Sequence, residues 1–210
     1  MRDRNAPLKA ADLDVLAWAK MDGLLPAMVQ DADTGQVLML GYMDRAALEA
    51  TLASGLATFF SRSKGRLWQK GETSGNRLAV RAVLADCDED ALLIRAVPEG
   101  PTCHLGTTSC FGAEGPSGAG FLAKLARIVH DRAQADPAES YTARLLAEGP
   151  ARIAQKVGEE GVELALAAVG RDKEGCAEEA ADLLYHLVVL MEAKGFGWED
   201  VAKVLAERHK

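Results

Sequence analysis

Apolar and polar residues alternate with one period in the first half of the chain and with another in the second. Before residue 100, short apolar runs are separated by polar turns, which is typical of strands joined by hairpins. Beyond residue 120, apolar residues recur at helical spacing, as they do on one face of an amphipathic helix. The change predicts an α+β N-terminal domain with a mostly antiparallel sheet, followed by an all-α helical-bundle domain.

Capping and turn residues mark where the elements of the first half begin and end. Asp12 and Asp44 are each expected to cap a helix, and Gly55 is expected to end the second of them. A tight acidic turn is expected at residues 88–90. Strands are expected at 26–42 as a hairpin, and at 58–61, 78–85 and 91–97.

A glycine-rich segment, residues 112–120, predicts a linker between the two domains. The domains are therefore expected at 1–114 and 115–210. Gly170 and Gly195 are expected to end the third and fourth helices of the second domain. Its helices are expected from about residue 121, at 140–148, 151–169 and 174–194, and from 198 onward.

Composition and charge narrow the class of protein. The 210 residues are 49% hydrophobic and 26% charged, as in a globular protein, and the net charge is −7. No basic patch indicates nucleic-acid binding, and no apolar run is long enough for a membrane span. We expect a cytoplasmic protein whose thiols stay reduced. An acidic chain that acts on phosphorylated molecules also needs cations to offset repulsion, which favours bound metal ions.

Most of the cysteines of the chain lie between residues 86 and 111, close to a group of aspartates. Three of the four cysteines fall there with three aspartates, namely Asp86, Cys87, Asp88, Asp90, Cys103 and Cys110. Thiolates suit zinc, and three protein ligands leave the open position of a catalytic zinc site. Carboxylates suit magnesium. His104 is either a fourth zinc ligand or an acid–base group beside the metal. The alternative is that the cysteines are small core residues and the aspartates form a solvated turn.

Strand geometry would separate the two kinds of ligand. If residues 86–88 continue a strand, Cys87 points away from the face that carries Asp86 and Asp88. The sequence then predicts a soft site at sulfur and a separate oxygen-liganded site at the aspartates.

A second polar segment offers cations, hydroxyls and glycines that could cradle a phosphate. Its candidate substrate-binding residues are Arg62, Trp68, Lys70, Gly71, Glu72, Thr73, Ser74 and Gly75. The alternative is an ordinary polar hairpin loop.

Three runs in this half resemble the signature motifs of phosphoribosyl-AMP cyclohydrolase. They are WQKGETSGN at 68–76, ADCDEDALL at 85–93 and GPTCHLGTTSCF at 100–111. The resemblance covers roughly residues 20–112, and Leu105 stands where many members would have threonine. It implies hydrolysis of the N1–C6 bond in the adenine ring of phosphoribosyl-AMP, a step of histidine biosynthesis.

The resemblance also implies a zinc- and magnesium-dependent homodimer. Cys87 of one subunit would meet Cys103 and Cys110 of the other at zinc, while the three aspartates would hold magnesium. Zinc would supply hydroxide for attack on C6, and His104 would carry the proton toward N1.

Two acidic pairs stand at i,i+3 spacing in the second half: Glu160 with Glu163, and Glu179 with Asp182. If their helices run antiparallel, the four carboxylates converge and need magnesium, which could grip a triphosphate. The alternative is a pair of solvated helix faces.

The runs KVGEEGVE at 156–163 and EEAADLLYH at 178–186 resemble phosphoribosyl-ATP pyrophosphatase, one of the all-α nucleotide pyrophosphohydrolases. The resemblance implies that the four acids bind magnesium and that Lys156 acts in catalysis as a phosphate contact. The domain order matches a known bifunctional fusion that acts on phosphoribosyl-ATP and then on phosphoribosyl-AMP. Two alternatives stay open: a general house-cleaning nucleotide pyrophosphatase fused to a cyclohydrolase, and a zinc-stabilised dimer whose cysteines only support the fold.

Overall fold

Two units make up the chain, Met1–Phe121 and Leu122–Lys210. A computed structural model describes residues 3, 6–112 and 115–209. No helix in these ranges is both long enough and apolar enough to cross a membrane.

The first unit is built on a four-stranded sheet with the order β2-β1-β6-β5, beside a two-stranded ribbon of β3 and β4. The strands are β1 (Leu25–Asp31), β2 (Val37–Met43), β3 (Thr58–Ser61), β4 (Arg66–Gln69), β5 (Leu78–Ala85) and β6 (Leu92–Pro98). All neighbours pair antiparallel except β1 and β6, which are parallel. The predicted α+β domain with a mostly antiparallel sheet is confirmed.

Helix α1 (Arg45–Ser54) is bounded by the two predicted residues. The carboxylate of Asp44 accepts the backbone N–H of Ala47 at 2.7 Å, and Gly55 ends the helix with φ 71°. Leu48 of this helix is buried in the same core as the inward residues of the sheet and Phe59. Phe59 also explains Gly41, because a Cβ there would lie 2.4 Å from its ring.

Two details of the first unit differ from the expectations. Asp12 does not cap a helix: Lys9 is the cap of a 3₁₀ helix at Ala10–Val15, and Asp12 accepts the Lys9 N–H at 2.8 Å. Strand β4 was not predicted, because its four residues include only two apolar ones, Leu67 and Trp68, too few to form an apolar run. Strand β5 ends at Ala85 as predicted, so the condition that residues 86–88 continue the strand is not met.

The segment after β5 closes as a turn, as expected for residues 88–90. Asp86 Oδ1 accepts the backbone N–H groups of Asp90 and Ala91 at 3.1 and 3.2 Å, and Glu89 adopts φ 65°. These side-chain bonds lie just beyond the last β5–β6 pair, Ala85 with Leu92, and bend the chain toward β6. The acidic residues are therefore positioned by a turn and not by alternation along a strand.

The loop after β6 is fixed to the edge strand β2. The backbone N–H of Cys110 donates to Leu38 O at 2.8 Å, and the hydroxyl of Ser109 donates to Val37 O at 2.7 Å. Both bonds use carbonyl groups of the sheet's outer strand. The loop that carries two cysteines is thus held against the sheet.

The second unit contains only helices among its described residues, which confirms the all-α prediction. They are α2 (Gly120–Ala133, whose first residues belong to the first unit), α3 (Tyr141–Glu148), α4 (Pro150–Gly170), α5 (Lys173–Lys194) and α6 (Trp198–Arg208). Gly195 ends α5 with φ 69° as expected, and Ser140, the first residue of the predicted 140–148 helix, is the N-cap of α3. Gly170 does not end α4 but belongs to it, and Arg171 is the cap residue.

Helices α4 and α5 form an antiparallel hairpin, since only Arg171 and Asp172 connect them. The core of the unit includes Val129, Ile153 and Val188. Ile153, Glu160 and Ala167 are the buried residues of α4 and recur every two turns. Glu160 therefore lies in the buried stripe of its helix, where an ordinary amphipathic helix carries an apolar residue.

Candidate active sites

The first site is a cavity of about 470 Å³ in the N-terminal unit. One wall is the segment after β4 and the other is the loop after β6. Six of the eight predicted substrate-binding residues line it, namely Trp68, Lys70, Gly71, Glu72, Thr73 and Ser74. Cys103, His104 and Cys110 line it from the other side. The two motifs that are far apart in sequence thus share one cavity.

Cys103 and Cys110 lie close enough in this cavity for each thiol to affect the pKa of the other. Hydrogen bonds, foremost from the backbone N–H of Leu105 and then from Thr107, lower the pKa of Cys103. Burial raises the pKa of Cys110, and the neighbouring Cys103 charge adds to that rise. Cys103 is therefore the thiol better prepared to act as a thiolate, which is the form that binds metal.

Lys70 places a cation beside this pair. Its side chain is buried and Nζ donates to Asn76 O at 3.2 Å. Desolvation lowers the pKa of Lys70, while the charges of Cys110 and Cys103 oppose that change. Lys70 thus lies near the two thiols and is hydrogen-bonded to the polar loop.

His104 is exposed on the cavity wall, with Nδ1 3.9 Å from Cys103 Sγ. Cys87 is exposed on the turn after β5, where its Sγ lies 3.8 Å from Asp88 Oδ1. Within the described ranges, no group of three ligand atoms within 4.8 Å of one another joins Cys87 to Cys103 and Cys110. One chain alone therefore does not bring the three cysteines together.

The three aspartates do meet: one oxygen each of Asp86, Asp88 and Asp90 lies within 4.8 Å of the other two. Lys20 forms ion pairs with Asp88 and Asp90. Its hydrogen bond is the main reason that the pKa of Asp88 is lowered, and in return the pKa of Lys20 is raised. The Lys20 ammonium group thus lies against two of these carboxylates, where a bound metal ion would also lie. Three carboxylates are oxygen ligands of the kind that a hard metal ion prefers.

Two predicted residues lie outside the walls of the cysteine cavity. The Arg62 guanidinium stacks over the ring of Tyr42, 3.8 Å from its centroid, in a separate groove of about 590 Å³. Gly75 follows the lining segment but does not itself line the cavity. Glu72 lines it while pairing with Arg66 at 2.8 Å, which is the main cause of its lowered pKa.

The second site lies on α4 and α5. Oxygen atoms of Glu160, Glu179 and Asp182 fall within 4.8 Å of one another, so the helical hairpin brings together three of the four predicted acids. Glu163 is exposed and lies outside this group, yet the charge of Glu160 is the main cause of its raised pKa. Glu163 thus lies near Glu160, although it is not one of the three acids whose oxygen atoms converge.

Cations neutralise this cluster too. Lys156 Nζ lies 2.9 Å from oxygen atoms of both Glu159 and Glu160, and these bonds raise its pKa. Arg171 pairs with Glu179. Glu160 is only 5% exposed, and a buried carboxylate needs such partners.

A buried histidine connects the acidic cluster to α3. The Nδ1 atom of His186 donates to Asp182 O at 2.9 Å and lies 3.6 Å from Glu160 Oε1. Its Nε2 atom is 3.1 Å from the Tyr141 hydroxyl. Sequence reasoning found neither this contact nor Lys20. The position of His186 four residues after Asp182 was the available signal, since such residues share a helix face.

Comparisons with known proteins match both units. A model of the phosphoribosyl-AMP cyclohydrolase family matches residues 39–112, and a model of the phosphoribosyl-ATP pyrophosphohydrolase family matches residues 122–209. Three similar proteins carry the name histidine biosynthesis bifunctional protein HisIE. The one from Shewanella oneidensis is 54% identical over 95% of this chain and 94% of its own length. The relative from Xylella fastidiosa (strain Temecula1) is 56% identical over 95% and 94%, and that from Escherichia coli K12 is 54% identical over 93% and 96%.

Proposed function

The chain belongs to the family of histidine biosynthesis bifunctional proteins, which join phosphoribosyl-AMP cyclohydrolase to phosphoribosyl-ATP pyrophosphohydrolase. From this premise we propose which reaction each of its two sites catalyses. The α4–α5 site cleaves phosphoribosyl-ATP to phosphoribosyl-AMP and pyrophosphate with magnesium. The cysteine cavity then opens the adenine ring of phosphoribosyl-AMP at N1–C6 with a zinc-activated water. The main support for this assignment is that Cys103 and Cys110 line the same cavity as the polar loop after β4.

The thiol pair supplies two of the three zinc ligands in this proposal. Cys103 and Cys110 come from one chain, and the third ligand is Cys87 of the partner subunit. The separation of the three cysteines within one chain supports this arrangement, because three ligands are needed for a catalytic zinc site. When bound, zinc lowers the pKa of a water molecule to near neutrality and so provides hydroxide.

The remaining groups of the cavity hold the nucleotide and move its proton. Gly71 has φ 85°, and a Cβ there would lie 2.6 Å from Asn76 O, so only glycine allows this loop to close. The closed loop presents Thr73 and Ser74 to the cavity, where they can bind the phosphate. His104 stands on the opposite wall beside Cys103 and carries the proton toward N1. Asp86, Asp88 and Asp90 hold magnesium.

In the second site, Glu160, Glu163, Glu179 and Asp182 would hold magnesium, which would supply positive charge against the triphosphate and a more acidic bound water. Lys156 exchanges its contact with Glu160 for one with a phosphate group as substrate binds. Its position at the edge of the acidic cluster supports this role.

One experiment tests the division of labour. The protein is incubated with phosphoribosyl-ATP and magnesium, with and without a zinc-selective chelator. We expect the chelator to make phosphoribosyl-AMP accumulate while pyrophosphate release continues at its original rate. The thermal unfolding midpoint is measured in both samples as a control.

Other outcomes separate the alternatives. If the chelator unfolds the protein, the cysteines have a structural role and the zinc-dependent ring opening is not supported. Competition with deoxynucleoside triphosphates tests the second alternative: a general nucleotide pyrophosphatase would cleave them at rates similar to that of phosphoribosyl-ATP. If ring opening continues without zinc, the proposed mechanism is wrong.

A further inference from the structure

The hydroxyl of Thr102 is a buried polar group without a partner. The residue is 4% exposed, and within the described ranges no group forms a hydrogen bond with Thr102 Oγ1. Buried hydroxyl groups are nearly always hydrogen-bonded, because losing contact with water without compensation costs stability. The exception therefore needs an explanation.

Neighbouring hydroxyl groups on the same loop show that the fold can satisfy such groups. The Thr107 hydroxyl donates to Ser109 O at 2.8 Å. The Ser109 hydroxyl donates to Val37 O at 2.7 Å. These two residues hold the loop together and fasten it to β2. Thr102 lies on the same loop and contributes no such bond.

The location of Thr102 connects this hydroxyl to the cavity. Thr102 lines the cavity of about 470 Å³ and directly precedes Cys103, whose thiol faces the same space. Lys70, which also lines the cavity, already donates to Asn76 O. The hydroxyl oxygen itself is buried, so a ligand in the cavity reaches its unused donor and acceptor capacity once the side chain rotates about χ1.

We propose that Thr102 is a substrate-contacting residue of the cyclohydrolase site and that its hydroxyl hydrogen-bonds the purine end of phosphoribosyl-AMP. The inference rests on the proposed function of the cysteine cavity. Because Thr102 adjoins Cys103 and the phosphate is assigned to Thr73 and Ser74 on the other wall, the hydroxyl meets the base and not the phosphate. A purine offers ring nitrogen acceptors and an exocyclic nitrogen, and a hydroxyl can bond either.

Replacing Thr102 with valine tests the proposal, because valine keeps the shape and removes only the hydroxyl. We expect Thr102→Val to lower kcat/KM for phosphoribosyl-AMP roughly 10- to 100-fold, the range for losing one buried hydrogen bond to substrate. The unfolding midpoint should stay unchanged or rise, since the substitution removes an unsatisfied buried group. Zinc content should also stay unchanged.

Two controls accompany this variant. Thr102→Ser keeps the hydroxyl and should retain kcat/KM within about threefold, since it loses only a methyl group. Hydrolysis of phosphoribosyl-ATP by the same preparation should equal that of the parent protein, because that site lies on other residues.

Each alternative result has a defined meaning. If Thr102→Val keeps full activity, or if Thr102→Ser is as impaired as valine, the hydroxyl does not bind substrate. If valine lowers the unfolding midpoint, the hydroxyl supports the fold. Loss of zinc would make Thr102 a positioning residue for Cys103. These results overturn the proposal, whereas a parent protein inactive on phosphoribosyl-AMP would instead refute the proposed function.

Discussion

The N-terminal unit carries its candidate metal ligands on turns and loops, whereas the C-terminal unit carries them on two helices. A helix fixes residues at i,i+3 on one face, so the hairpin of α4 and α5 brings Glu160, Glu179 and Asp182 together within one chain. The turn after β5 and the loop after β6 are independent segments. They leave Cys87 apart from Cys103 and Cys110, and the proposed zinc site then depends on a second subunit.

The same contrast extends to charge. In the first unit, Lys20 pairs with Asp88 and Asp90 on an exposed turn, where water and salt screen the interaction. In the second, Lys156 pairs with Glu160, a buried carboxylate that would be costly without a partner. The pairs of Lys20 can be lost with little effect on the fold, whereas Glu160 is part of its unit's interior.

Removing one helical carboxylate should have the largest effect and separate the two sites. We expect Glu160→Gln to lower pyrophosphate release from phosphoribosyl-ATP about a thousandfold, because a metal ligand supplies several kcal/mol of transition-state stabilisation. Cyclohydrolase activity on phosphoribosyl-AMP should not change. Both rates are measured on one preparation, with Glu178→Gln as the matched control, since Glu178 is exposed on α5.

A result in which Glu160→Gln lowers both activities equally would contradict the independence of the two sites. Equal loss in Glu178→Gln would show that the effect comes from net charge and not from the acidic cluster.

Mixing inactive subunits tests whether the first site is shared between chains. Cys87→Ala and Cys110→Ala should each abolish ring opening when present alone. After the two variants are unfolded and refolded together, about a quarter of the parent activity should return. Random pairing makes half the dimers mixed, and each mixed dimer rebuilds one site of two.

The control for this experiment is Cys176→Ala, which changes the cysteine on α5 and should keep full activity. Activity that stays absent in the mixture would argue against ligands shared between subunits.

Local patterns in the sequence were sufficient to predict most elements of the fold. Asp44 and Gly55 bound α1 because capping is a local interaction between a side chain and its own helix end. The period of apolar residues separated the sheet from the helices. The prediction for Asp12 was wrong because an aspartate near a helix start can be either the N-cap or the third helical residue that accepts the N-cap N–H. Here Asp12 is the third helical residue.

Contacts between distant segments could not be predicted. Lys20 reaches Asp88 and Asp90 across 68 or more residues of chain, and no local pattern marks that pairing. His186 was visible as a residue near the acidic face, but its contact with Tyr141 on α3 depends on how the helices pack. The unpartnered hydroxyl of Thr102 can be recognised only after the surrounding loop has been folded.

The smallest expected effect concerns Glu163, the acid at the edge of the helical cluster. Repulsion from Glu160 is the main cause of its raised pKa, relative to an ordinary value of 4.5. A carboxyl group whose pKa is higher in the folded than in the unfolded protein stabilises the fold while it is protonated. This contribution is complete below the pKa of the unfolded state and is lost as the pH rises through the pKa of the folded state. At pH 7 without magnesium, the ionised Glu163 therefore opposes folding.

Glu163→Gln resembles the protonated side chain, so it should raise the unfolding midpoint of the metal-free protein by about 1–3 °C at pH 7. The gain should disappear as the pH falls toward 4.5, because the parent then carries the neutral side chain too. Saturating magnesium should reverse the order of the two midpoints, since only the carboxylate can bind the ion. If the variant is less stable than the parent at pH 7 in the presence of a chelator, the Glu163 carboxylate supports the fold. An exposed acid of the helical cluster would then contribute to stability, and the contrast between exposed and buried acids would be weaker.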